Sequence, residues 1–314
     1  MRPARCWHSW APVSPVDPTY RCGYIALVGR PNVGKSTLLN RLLGQKISIT
    51  SKRPQTTRHR ILGIKTGKTA QFVYVDTPGL HRYNGRAMNR QMNRAASMAL
   101  QDVDVVIFIV EGMRWTVDDD LVLKELERTR CPVVLAVNKV DLIANKEELL
   151  PALQALSEKR PFDQIIPLSA VRGDNIAELE ACVEALLPES APFYPEDQVT
   201  DRSERFLVAE RVREKLFRKL GKELPYGLTV EVEDFRRDTD IVHIHALIWV
   251  ERQSQKNIVI GKQGRVLKEV GQQARLDIEQ LLDSKVNLKL WVKVKEGWAD
   301  DERALRSLGY TDDY

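Results

Sequence analysis

The sequence has no long uninterrupted run of apolar residues. A membrane-spanning helix needs roughly 18 such residues, and no stretch of the chain approaches that length. Cysteine is also scarce. The four cysteines lie far apart, without the spacing of metal ligands, at Cys6, Cys22, Cys131 and Cys182. This pattern favours reduced, structural thiols in a cytosolic protein over a disulfide framework or a zinc site.

The first 21 residues lack the apolar core of a signal peptide and contain four prolines, so we expect a disordered extension there. A chain of 314 residues is long enough for two domains. A proline-rich, acidic stretch at Pro188–Asp201 predicts the linker between them. The predicted organisation is an extension at 1–21, a first domain at 22–190, a linker at 191–204, a second domain at 205–296 and a tail at 297–314.

In the first domain, short apolar runs alternate with segments of helical spacing. Val105–Val110 and Val133–Val137 are almost entirely apolar, which is typical of strands buried on both faces of a parallel sheet. The alternation predicts a doubly wound α/β domain. One exception is the pair Ile61–Thr66 and Gln71–Val75, which a short Gly67-Lys68 turn joins. This pair predicts an antiparallel hairpin.

A phosphate-binding loop is predicted between the apolar run Tyr24–Val28 and the helical segment Ser36–Leu43. The intervening residues match G-x-x-x-x-G-K-[ST], and a strand before the motif and a helix after it form the expected context. Lys35 should reach the β- and γ-phosphates, and the Ser36 hydroxyl should bind Mg²⁺. The helix N-terminus also favours anions. The predicted phosphate-binding residues are Gly29, Arg30, Pro31, Asn32, Val33, Gly34, Lys35, Ser36 and Thr37.

The choice of base is predicted by the sequence N-K-V-D at residues 138–141, which follows another apolar run. A carboxylate at Asp141 can accept from both the ring N1–H and the amino group of guanine. Adenine lacks this pair of donors, so the site should select GTP over ATP. Asn138 and Lys139 are expected to brace the loop, and the Ala170 N–H to face guanine O6. The predicted guanine-binding residues are Asn138, Lys139, Asp141, Ser169 and Ala170.

Two polar segments are predicted to act as switches. Asp76 should hold Mg²⁺ through water, and the Gly79 N–H should sense the γ-phosphate. One threonine of the other segment should ligate Mg²⁺; Thr57 is favoured over Thr56, although spacing leaves the choice open. The predicted metal ligands are Ser36, Thr57 and Asp76. The predicted switch residues are Gln55, Thr56, Thr57, Arg58, His59, Asp76, Thr77, Pro78, Gly79 and Leu80.

Several features of the switches bear on how hydrolysis is assisted. Ras-like GTPases place a glutamine at the position of Leu80, and leucine cannot orient the attacking water, so slow intrinsic hydrolysis is expected. GTPases that resemble this chain and have an apolar residue there can use K⁺, with a phosphate-loop asparagine as its ligand, which makes Asn32 a K⁺ candidate. His59 and His81 are interpreted as solvent-exposed loop histidines, because phosphoryl transfer depends mainly on positioning and electrostatics.

The second domain shows the order α-β-β-α-α-β, which is that of an α+β type II KH domain. Its residues 258–264, I-V-I-G-K-Q-G, match the GxxG loop, which clamps about four nucleotides. Basic residues outnumber acids six to one in 252–275 and eight to three in 202–222. Both clusters favour nucleic-acid contact, with a solvated helix face as the alternative for either cluster alone. The predicted RNA-binding residues are Ile260, Gly261, Lys262, Gln263, Gly264, Arg265 and Lys268.

These motifs together resemble those of a known family. The matching segments are GRPNVGKSTLLN (29–40), GQKISITS (44–51), QTTRHR (55–60), YVDTPGLH (74–81), AVNKVD (136–141) and GWADDERALRSLGY (297–310). From about Arg21 to Tyr310 the chain resembles the Era-like subfamily of TrmE–Era–EngA–YihA–septin-like GTPases, which carry a C-terminal KH domain.

The resemblance implies a specific activity and specific partners. It implies Mg²⁺-dependent hydrolysis of GTP to GDP and phosphate, and binding to the 3′ end of 16S rRNA in the small ribosomal subunit. It further implies a role late in 30S maturation, with the GTP state gating access to RNA. A cytoplasmic monomer that can also associate peripherally with the inner membrane is the expected form.

Other GTPase classes and one non-enzymatic class fit the sequence less well. A tRNA-modifying GTPase would need an added domain, a tandem ribosomal GTPase a second phosphate loop, and an iron transporter membrane helices. The alternative from another class is an RNA-binding scaffold that binds GTP but hydrolyses it negligibly. It is disfavoured, because every predicted phosphate, Mg²⁺ and guanine position is intact.

Overall fold

Six strands of the N-terminal domain form one sheet in the order β2-β3-β1-β4-β5-β6. The computed structural model describes residues 19–51, 53, 56–79, 87–220, 227–301 and 305. The strands are β1 (Arg21–Val28), β2 (Ile61–Thr66), β3 (Ala70–Asp76), β4 (Val105–Glu111), β5 (Val133–Asn138) and β6 (Gln164–Pro167). The helices are α1 (Lys35–Leu43), α2 (Ala87–Met98), α3 (Val117–Leu126), α4 (Leu149–Ser157) and α5 (Ile176–Leu186).

All neighbouring strands are parallel except β2 and β3, which pair as the predicted antiparallel hairpin. Ile25 and Leu27 of β1 pack into the core on one face of the sheet, and Ala26 and Val28 pack into the core on the other. Such alternation follows from the two-residue period of a strand, and burial on both faces explains the continuous apolar runs. The predicted doubly wound α/β fold is confirmed. Its parallel strands deliver their carboxyl ends to one edge of the sheet, where ligands bind in such folds.

The N-terminal boundary differs from the sequence expectation. Residues 1–18 lie outside the described part of the chain, but Tyr20 is buried and Arg21 is the first residue of β1, paired with Ala70. The backbone of Arg21 also forms an isolated antiparallel β-bridge with that of Glu189. The expectation of disorder is therefore wrong for Tyr20 and Arg21, because sheet pairing begins before the first apolar residues of the strand.

The segment that joins the domains lies along the edge strand β2. The Ile64 N–H donates to the Val199 carbonyl at 2.8 Å, and the amides of Phe193 and Tyr194 both donate to Gln71 Oε1. An uncovered edge strand exposes a row of unpaired backbone groups, and this segment covers part of that row. The polypeptide between the domains is thus attached to the first domain.

The C-terminal domain has the predicted order α-β-β-α-α-β and is confirmed as a KH fold. Its elements are α6 (Glu204–Lys219), β7 (Leu228–Arg237), β8 (Ile241–Val250), α7 (Gln253–Ile260), α8 (Arg265–Leu282) and β9 (Lys285–Val294). Strand β8 pairs antiparallel with β7 and parallel with β9. Val212 of α6 and Ile278 of α8 pack with Ile248 on one face of this sheet.

The C-terminal segment packs against the first domain. Trp298 is completely buried and clusters with Met88 and Met92 of α2, which follows the second predicted switch. The Trp298 indole N–H donates to the Gly227 carbonyl at 3.4 Å. Helix α2 is therefore in contact with both the sheet of its own domain and the end of the KH domain. Within the described ranges, no helix is both long and apolar enough to cross a bilayer.

Candidate nucleotide-binding site and its contact with the KH domain

The phosphate loop connects β1 to α1 and is closely packed from two sides. Gly29 and Gly34 have φ angles of 153° and 106°, which L side chains rarely adopt. A Cβ atom on Gly29 would lie 2.4 Å from the Ile109 carbonyl oxygen, and one on Gly34 would lie 2.3 Å from Asn138 Nδ2. The loop therefore needs glycine at both positions, and α1 begins directly behind it with Lys35, Ser36 and Thr37.

Lys35 lies beneath the loop with its ammonium group buried. Its Nζ donates to the carbonyl oxygens of Gly29 and Arg30, each at 3.0 Å. Burial lowers the pKa of Lys35 to about 8, while the nearby charge of Asp76 acts in the opposite direction. Because an adjacent anion favours the charged form of a buried lysine, this ammonium group is suited to face phosphate oxygens.

Three predicted metal ligands meet at one point. Ser36 Oγ lies 2.8 Å from Thr57 Oγ1 and donates to Asp76 Oδ2 at 2.9 Å. Ser48, which the sequence interpretation missed, donates to the same Oδ2 at 2.8 Å. Thr56 points elsewhere, because its hydroxyl donates to the Arg53 carbonyl at 2.7 Å.

The oxygen atoms at this point fit Mg²⁺. The buried Oδ1 of Asp76 has no hydrogen-bond partner among the described residues. Burial raises the pKa of Asp76, against the charge of Lys35 and the hydrogen bonds from Ser48 and Ser36, so a cation would favour the ionised form. Mg²⁺ takes one or two carboxylates together with substrate phosphates and waters, not a cage of protein ligands. Accordingly, the described residues contain no group of three or more metal-ligating His, Cys, Asp or Glu side chains.

Asn138 ties the guanine loop to the phosphate loop. Its Nδ2 donates to the Val33 carbonyl at 2.8 Å, and its Oδ1 accepts from the amides of Lys139 and Ala170. The Ala170 N–H, which the sequence assigned to guanine O6, is thus directed to Asn138 at 3.0 Å. Asp141 accepts from the Ser169 hydroxyl at 2.6 Å through Oδ1.

A charged network behind these loops was not foreseen from the sequence. Glu111, at the end of β4, pairs with Lys139 at 3.0 Å and with Arg30 at 2.8 Å. Arg30 also contacts the buried carboxylate of Asp119 at 3.1 Å. Burial opposes ionisation of Glu111, but the hydrogen bonds and charges of Lys139 and Arg30 together lower its pKa. Glu111 therefore links the phosphate loop and the guanine loop.

The second switch segment contacts the phosphate loop directly. A Cβ atom on Gly79 would lie 2.8 Å from the Pro31 amide nitrogen, so only glycine fits without movement. Before it, the Thr77 hydroxyl donates to the Leu27 carbonyl at 2.8 Å, and Pro78 is buried. The predicted Gln55, Leu80 and His81 lie outside the described residues.

These loops border one cavity of about 1030 Å³. It gathers the phosphate loop, both switch segments and the guanine loop, and Phe217 and Arg218 of α6 also line it. The other lining residues are Pro31, Asn32, Gly34, Lys35, Ser36, Thr37, Ile49, Thr50, Ser51, Arg53, Thr56, Thr57, Gly79, Asn138, Lys139, Asp141, Leu142 and Val171. The wall of the nucleotide site is therefore shared between the two domains.

Helix α6 holds the segment between α1 and β2 through buried charges. Arg213 donates to the Thr56 carbonyl at 2.6 Å and is paired with Glu210 through two hydrogen bonds of 2.5 and 2.6 Å. The completely buried Glu214 accepts from the Thr50 amide at 3.0 Å and pairs with Lys46 at 2.5 Å. The segment that contains the first switch is thus bound to the KH domain on both sides of residue 53.

The expectation for His59 is wrong, and three cations of the basic cluster at 202–222 are not available to nucleic acid. His59 is buried, with its ring edge-on to Phe206 of α6 at 5.1 Å, and is not a solvent-exposed loop histidine. In the basic cluster at 202–222, Arg211, Arg213 and Lys215 are buried, while Arg205, Arg218 and Lys219 are exposed. Arg211 bonds to the Lys46 carbonyl, Arg213 to Thr56, and Lys215 to Asp277 at 2.6 Å. Arg211 and Arg213 face the first domain and Lys215 faces α8 of its own domain, which a count of charges along the sequence does not show.

Arg58 is a residue of the first domain whose side chain contacts the KH domain. Its side chain is buried, donates to the Leu228 carbonyl at 2.8 Å and lies 5.4 Å from the centre of the Phe217 ring. The predicted switch residues Thr57 and Arg58 are therefore neighbours with opposite contacts, one toward the metal ligands and one toward the KH sheet. This arrangement mechanically joins the nucleotide site to the KH domain.

The GxxG loop has the geometry that its sequence predicts. Gly261 and Gly264 have φ angles of 73° and 76°, and a Cβ on Gly261 would lie 2.5 Å from Val266 Cγ2. Lys262 and Gln263 between them are exposed, as are Arg265 and Lys268 at the start of α8. Ile260 is half-buried at the end of α7, and the exposed Ile258, which was not predicted, adds an apolar surface next to the loop.

Two family models match the chain, one for each domain. The model described as "50S ribosome-binding GTPase" matches residues 24–139, and the model described as "KH domain" matches residues 223–299. Among curated proteins, GTPase Era of Ectopseudomonas mendocina is 61% identical over 94% of this chain and 99% of its own. GTPase Era of Pseudomonas aeruginosa is also 61% identical, over 93% of this chain and 96% of its own.

Solved structures are similar over the same extent. The crystal structure of an Aquifex aeolicus Era variant bound to GDP and AlF₄⁻ superposes with a TM-score of 0.90 at 36% identity, and covers 93% of this chain and 100% of that one. A structure of Era in complex with MgGDPNP and nucleotides 1506–1542 of 16S ribosomal RNA gives the same values. The chain therefore belongs to the Era family of GTPases, in which a GTPase domain precedes a KH domain.

Proposed function

We propose that the protein is a GTP-hydrolysing switch that binds the 3′ end of 16S rRNA and assists maturation of the small ribosomal subunit. The observation that carries this proposal is the position of helix α6. Its side chains reach the nucleotide cavity at Arg218, bind the first switch at Thr56 and pack against the KH sheet. A conformational change in the switch segment must therefore alter its contacts with the RNA-binding domain.

The phosphates and Mg²⁺ are proposed to bind where Lys35, Ser36, Thr57 and Asp76 converge. When bound, Mg²⁺ would neutralise the charge that develops on the phosphate oxygens during transfer. Ser36 and Thr57 would supply hydroxyl oxygens, and Asp76 would act through water with the oxygen that has no protein partner. The related Era structure that contains MgGDPNP supports this assignment.

Guanine is proposed to be selected by Asp141, which lines the cavity while Ser169 orients it. Asn138 and Lys139 act behind it, by holding the phosphate loop and by pairing with Glu111. Phosphoryl transfer by positioning and electrostatics requires no strong general base. Slow intrinsic hydrolysis remains the expectation from Leu80.

K⁺ is proposed to assist hydrolysis, with Asn32 as its protein ligand. Asn32 is exposed, lines the cavity and has a φ angle of 67°. Its amide oxygen could replace one water of a monovalent cation beside the phosphates. Equal activity in Na⁺ and K⁺ would remove this part of the proposal.

RNA is proposed to bind at the GxxG loop, where Lys262, Arg265 and Lys268 would contact its phosphates. Ile260 and Gln263 would line the path of the RNA strand. The related complex with a 16S rRNA fragment supports this partner. GTP would favour an RNA-competent domain arrangement, and hydrolysis would release the RNA. Binding to the 30S subunit, a monomeric state, a cytoplasmic location and peripheral association with the inner membrane complete the proposal.

The alternative is an RNA-binding scaffold with negligible hydrolysis. The switch and the scaffold are distinguished by measuring GTP hydrolysis with and without an oligonucleotide that carries the 16S 3′ end, in K⁺ and in Na⁺. A switch predicts stimulation by this RNA and not by a scrambled sequence. Gly261→Asp should abolish the stimulation and leave basal hydrolysis unchanged, because its side chain would meet Val266 in the KH loop. Hydrolysis near the uncatalysed rate with intact RNA binding would favour the scaffold.

A further inference from the structure

The outward face of strand β9 carries a row of exposed basic and aromatic side chains. Val286, Leu288, Leu290, Val292 and Val294 pack into the KH core. Since side chains alternate across a strand, the opposite face presents the outer row, defined as Lys285, Asn287, Lys289, Trp291 and Lys293. All of its members except Asn287 are exposed. The outer row is therefore distinct from the GxxG loop, which connects the helices that cover the other face of this sheet.

Two tryptophans lie at the centre of this surface. Trp291 is 57% exposed, which is unusual for the largest apolar side chain. Trp249, on the neighbouring strand β8, is directly paired with Lys293. The ammonium groups of Lys293 and Lys295 lie 5.8 and 5.7 Å from the centre of its ring. The indole N–H of Trp249 is fixed by Glu231 at 2.9 Å, so this ring is held in place with cations around it.

The charge of the surface is positive on the side of β9. Its acids lie on β7 and are already engaged: Glu233 pairs with Lys293, and Asp234 pairs with Arg236. Lys285 and Lys289 have no carboxylate within salt-bridge distance among the described residues. His243 and His245 lie on the same face, paired in register with Asn287 and Lys289. A polyanion would therefore meet unpaired cations along the edge of the sheet.

We propose that the outer row is a second RNA-binding surface, which takes an unpaired segment of RNA that extends beyond the GxxG loop. Successive outward side chains of a strand are roughly 6.6 Å apart, so lysines lie on either side of Trp291 at that spacing. Proteins that bind single-stranded nucleic acid combine aromatic rings, on which bases stack, with cations that follow the backbone. The outer row has both components in alternation.

The position of β9 makes the extension possible. β9 is an edge strand of the sheet, and α7, which leads into the GxxG loop, packs against it. The loop clamps only about four nucleotides, so a longer strand has further bases to place. An RNA that leaves the loop can pass over the edge of β9 and reach its outward face. This inference rests on the proposed RNA binding by the KH loop and adds a second contact to it.

The test compares two single-stranded RNAs, one of about five nucleotides that fills the loop and one about three times as long. Trp291→Ala is expected to weaken binding of the longer RNA on the order of 10-fold and to leave the shorter one unchanged, because one base-stacking platform is lost. Trp291→Phe should restore most of the affinity, since it keeps an aromatic face. Leu276→Ala, another exposed apolar residue of the KH domain, is the control for the loss of bulk.

Salt dependence tests the lysines independently. If Lys289 neutralises a phosphate, Lys289→Gln should reduce the slope of log affinity against log salt by about 0.7 for the longer RNA. Lys68→Gln, an exposed lysine in the first domain, should leave the slope unchanged. Unchanged melting temperatures would show that each variant is folded.

The possible failures are distinguishable. If Trp291→Ala and Lys289→Gln bind the longer RNA like wild type while Gly261→Asp does not, the outer row is not an RNA surface and the proposed function stands. If wild type binds neither RNA, both proposals fall. If the two outer-row variants also weaken the shorter RNA equally, their effect is not that of a separate surface and the inference is overturned.

Discussion

The guanidinium group of Arg213 donates a hydrogen bond of 2.6 Å to the backbone carbonyl of Thr56. Arg213 belongs to the first helix of the KH domain, and Thr56 immediately precedes Thr57, whose hydroxyl meets Ser36. The two domains are therefore joined one residue away from the proposed metal site. A buried, charged contact at this place both stabilises the domain arrangement and makes it depend on the conformation of the switch.

Variants of the buried pair Arg213–Glu210 distinguish an effect on stability from an effect on the coupling between the two domains. Arg213→Met should destabilise the protein by about 3–5 kcal/mol, because it leaves the buried Glu210 carboxylate unpaired. The double variant Arg213→Met/Glu210→Met should recover most of that loss, since the Glu210 carboxylate is removed together with its partner. It should nevertheless lose the stimulation of GTP hydrolysis by RNA, because the Thr56 carbonyl has lost its donor.

Thermal unfolding and RNA-stimulated hydrolysis of both variants provide the measurement. Arg128→Ala, which breaks an exposed pair with Glu125 on the surface of the first domain, should change neither quantity appreciably. Full RNA stimulation in a stable double variant would contradict the assigned role of Arg213.

Alanine variants of the adjacent Thr56 and Thr57 provide a matched test of the proposed metal site. Thr57→Ala should raise the Mg²⁺ concentration needed for GTP hydrolysis on the order of 10-fold or more, because a ligand hydroxyl is removed. Thr56→Ala removes the same atoms one residue earlier, where the hydroxyl only bonds to the Arg53 carbonyl. Its Mg²⁺ dependence should remain that of wild type, and Mg²⁺ titrations of hydrolysis measure both. Equal responses of the two variants would show that Thr57 is not the ligand.

Asp141 should decide which base is accepted. Asp141→Asn replaces an acceptor that is proposed to take two hydrogen bonds from guanine by an amide that presents a donor, so GTP affinity should fall at least about 100-fold. Xanthosine triphosphate, which has a carbonyl in place of the guanine amino group, should bind the variant better than GTP does. Competition binding with GTP, xanthosine triphosphate and ATP gives the ratios. An unchanged preference for GTP would place the specificity elsewhere.

Acid should weaken the domain contact through Glu210. Burial alone would raise the pKa of its carboxyl, but the charge and hydrogen bonds of Arg213, then the charges of His59 and Arg58, lower the pKa below its usual 4.5. A lowered folded-state pKa contributes stability above the unfolded pKa and loses it as pH falls through the folded pKa. The difference in melting temperature between wild type and Glu210→Gln should be constant from pH 7 to about 5 and shrink below about 4.5.

The exposed Glu158 offers the control for that titration. Glu158→Gln should leave the melting temperature close to that of wild type, because a substitution on the exposed surface away from packed groups changes stability little. A difference between wild type and Glu210→Gln that grows as pH falls would contradict the direction of the shift.

The strand-end motifs could be interpreted from the sequence because each is local. A phosphate loop needs glycine at Gly29 and Gly34 whatever surrounds it, and the parallel sheet then brings Asp76 and Asn138 to the same edge. The GxxG loop is similarly self-contained. The secondary structure of both domains could be predicted from the spacing of apolar residues. Buried strands are continuously apolar, and α6 has Val208, Val212 and Leu216 on one face.

The contacts of α6 could not be predicted in this way. Its apolar stripe accounts for one face, yet Leu207 to Phe217 are all buried, because the opposite, charged face packs on the first domain. The sequence shows that Arg213, Glu214 and Lys46 are charged. It does not show that Arg213 reaches Thr56 or that Glu214 pairs with Lys46, since these partners are 157 and 168 residues apart along the chain. The same limit explains the wrong expectation for His59.

The sequence by itself determined the two folds, the nucleotide-binding motifs and the family, because all three depend on residues that are near one another in the chain or on the period of apolar side chains. Only the tertiary structure decided which cations are available to RNA and which are neutralised, and which threonine faces the metal ligands. It also decided that the KH domain forms part of the wall of the nucleotide cavity. These properties depend on the packing of one domain against the other, and Coulomb and hydrogen-bond energies act over distances in space and not along the chain.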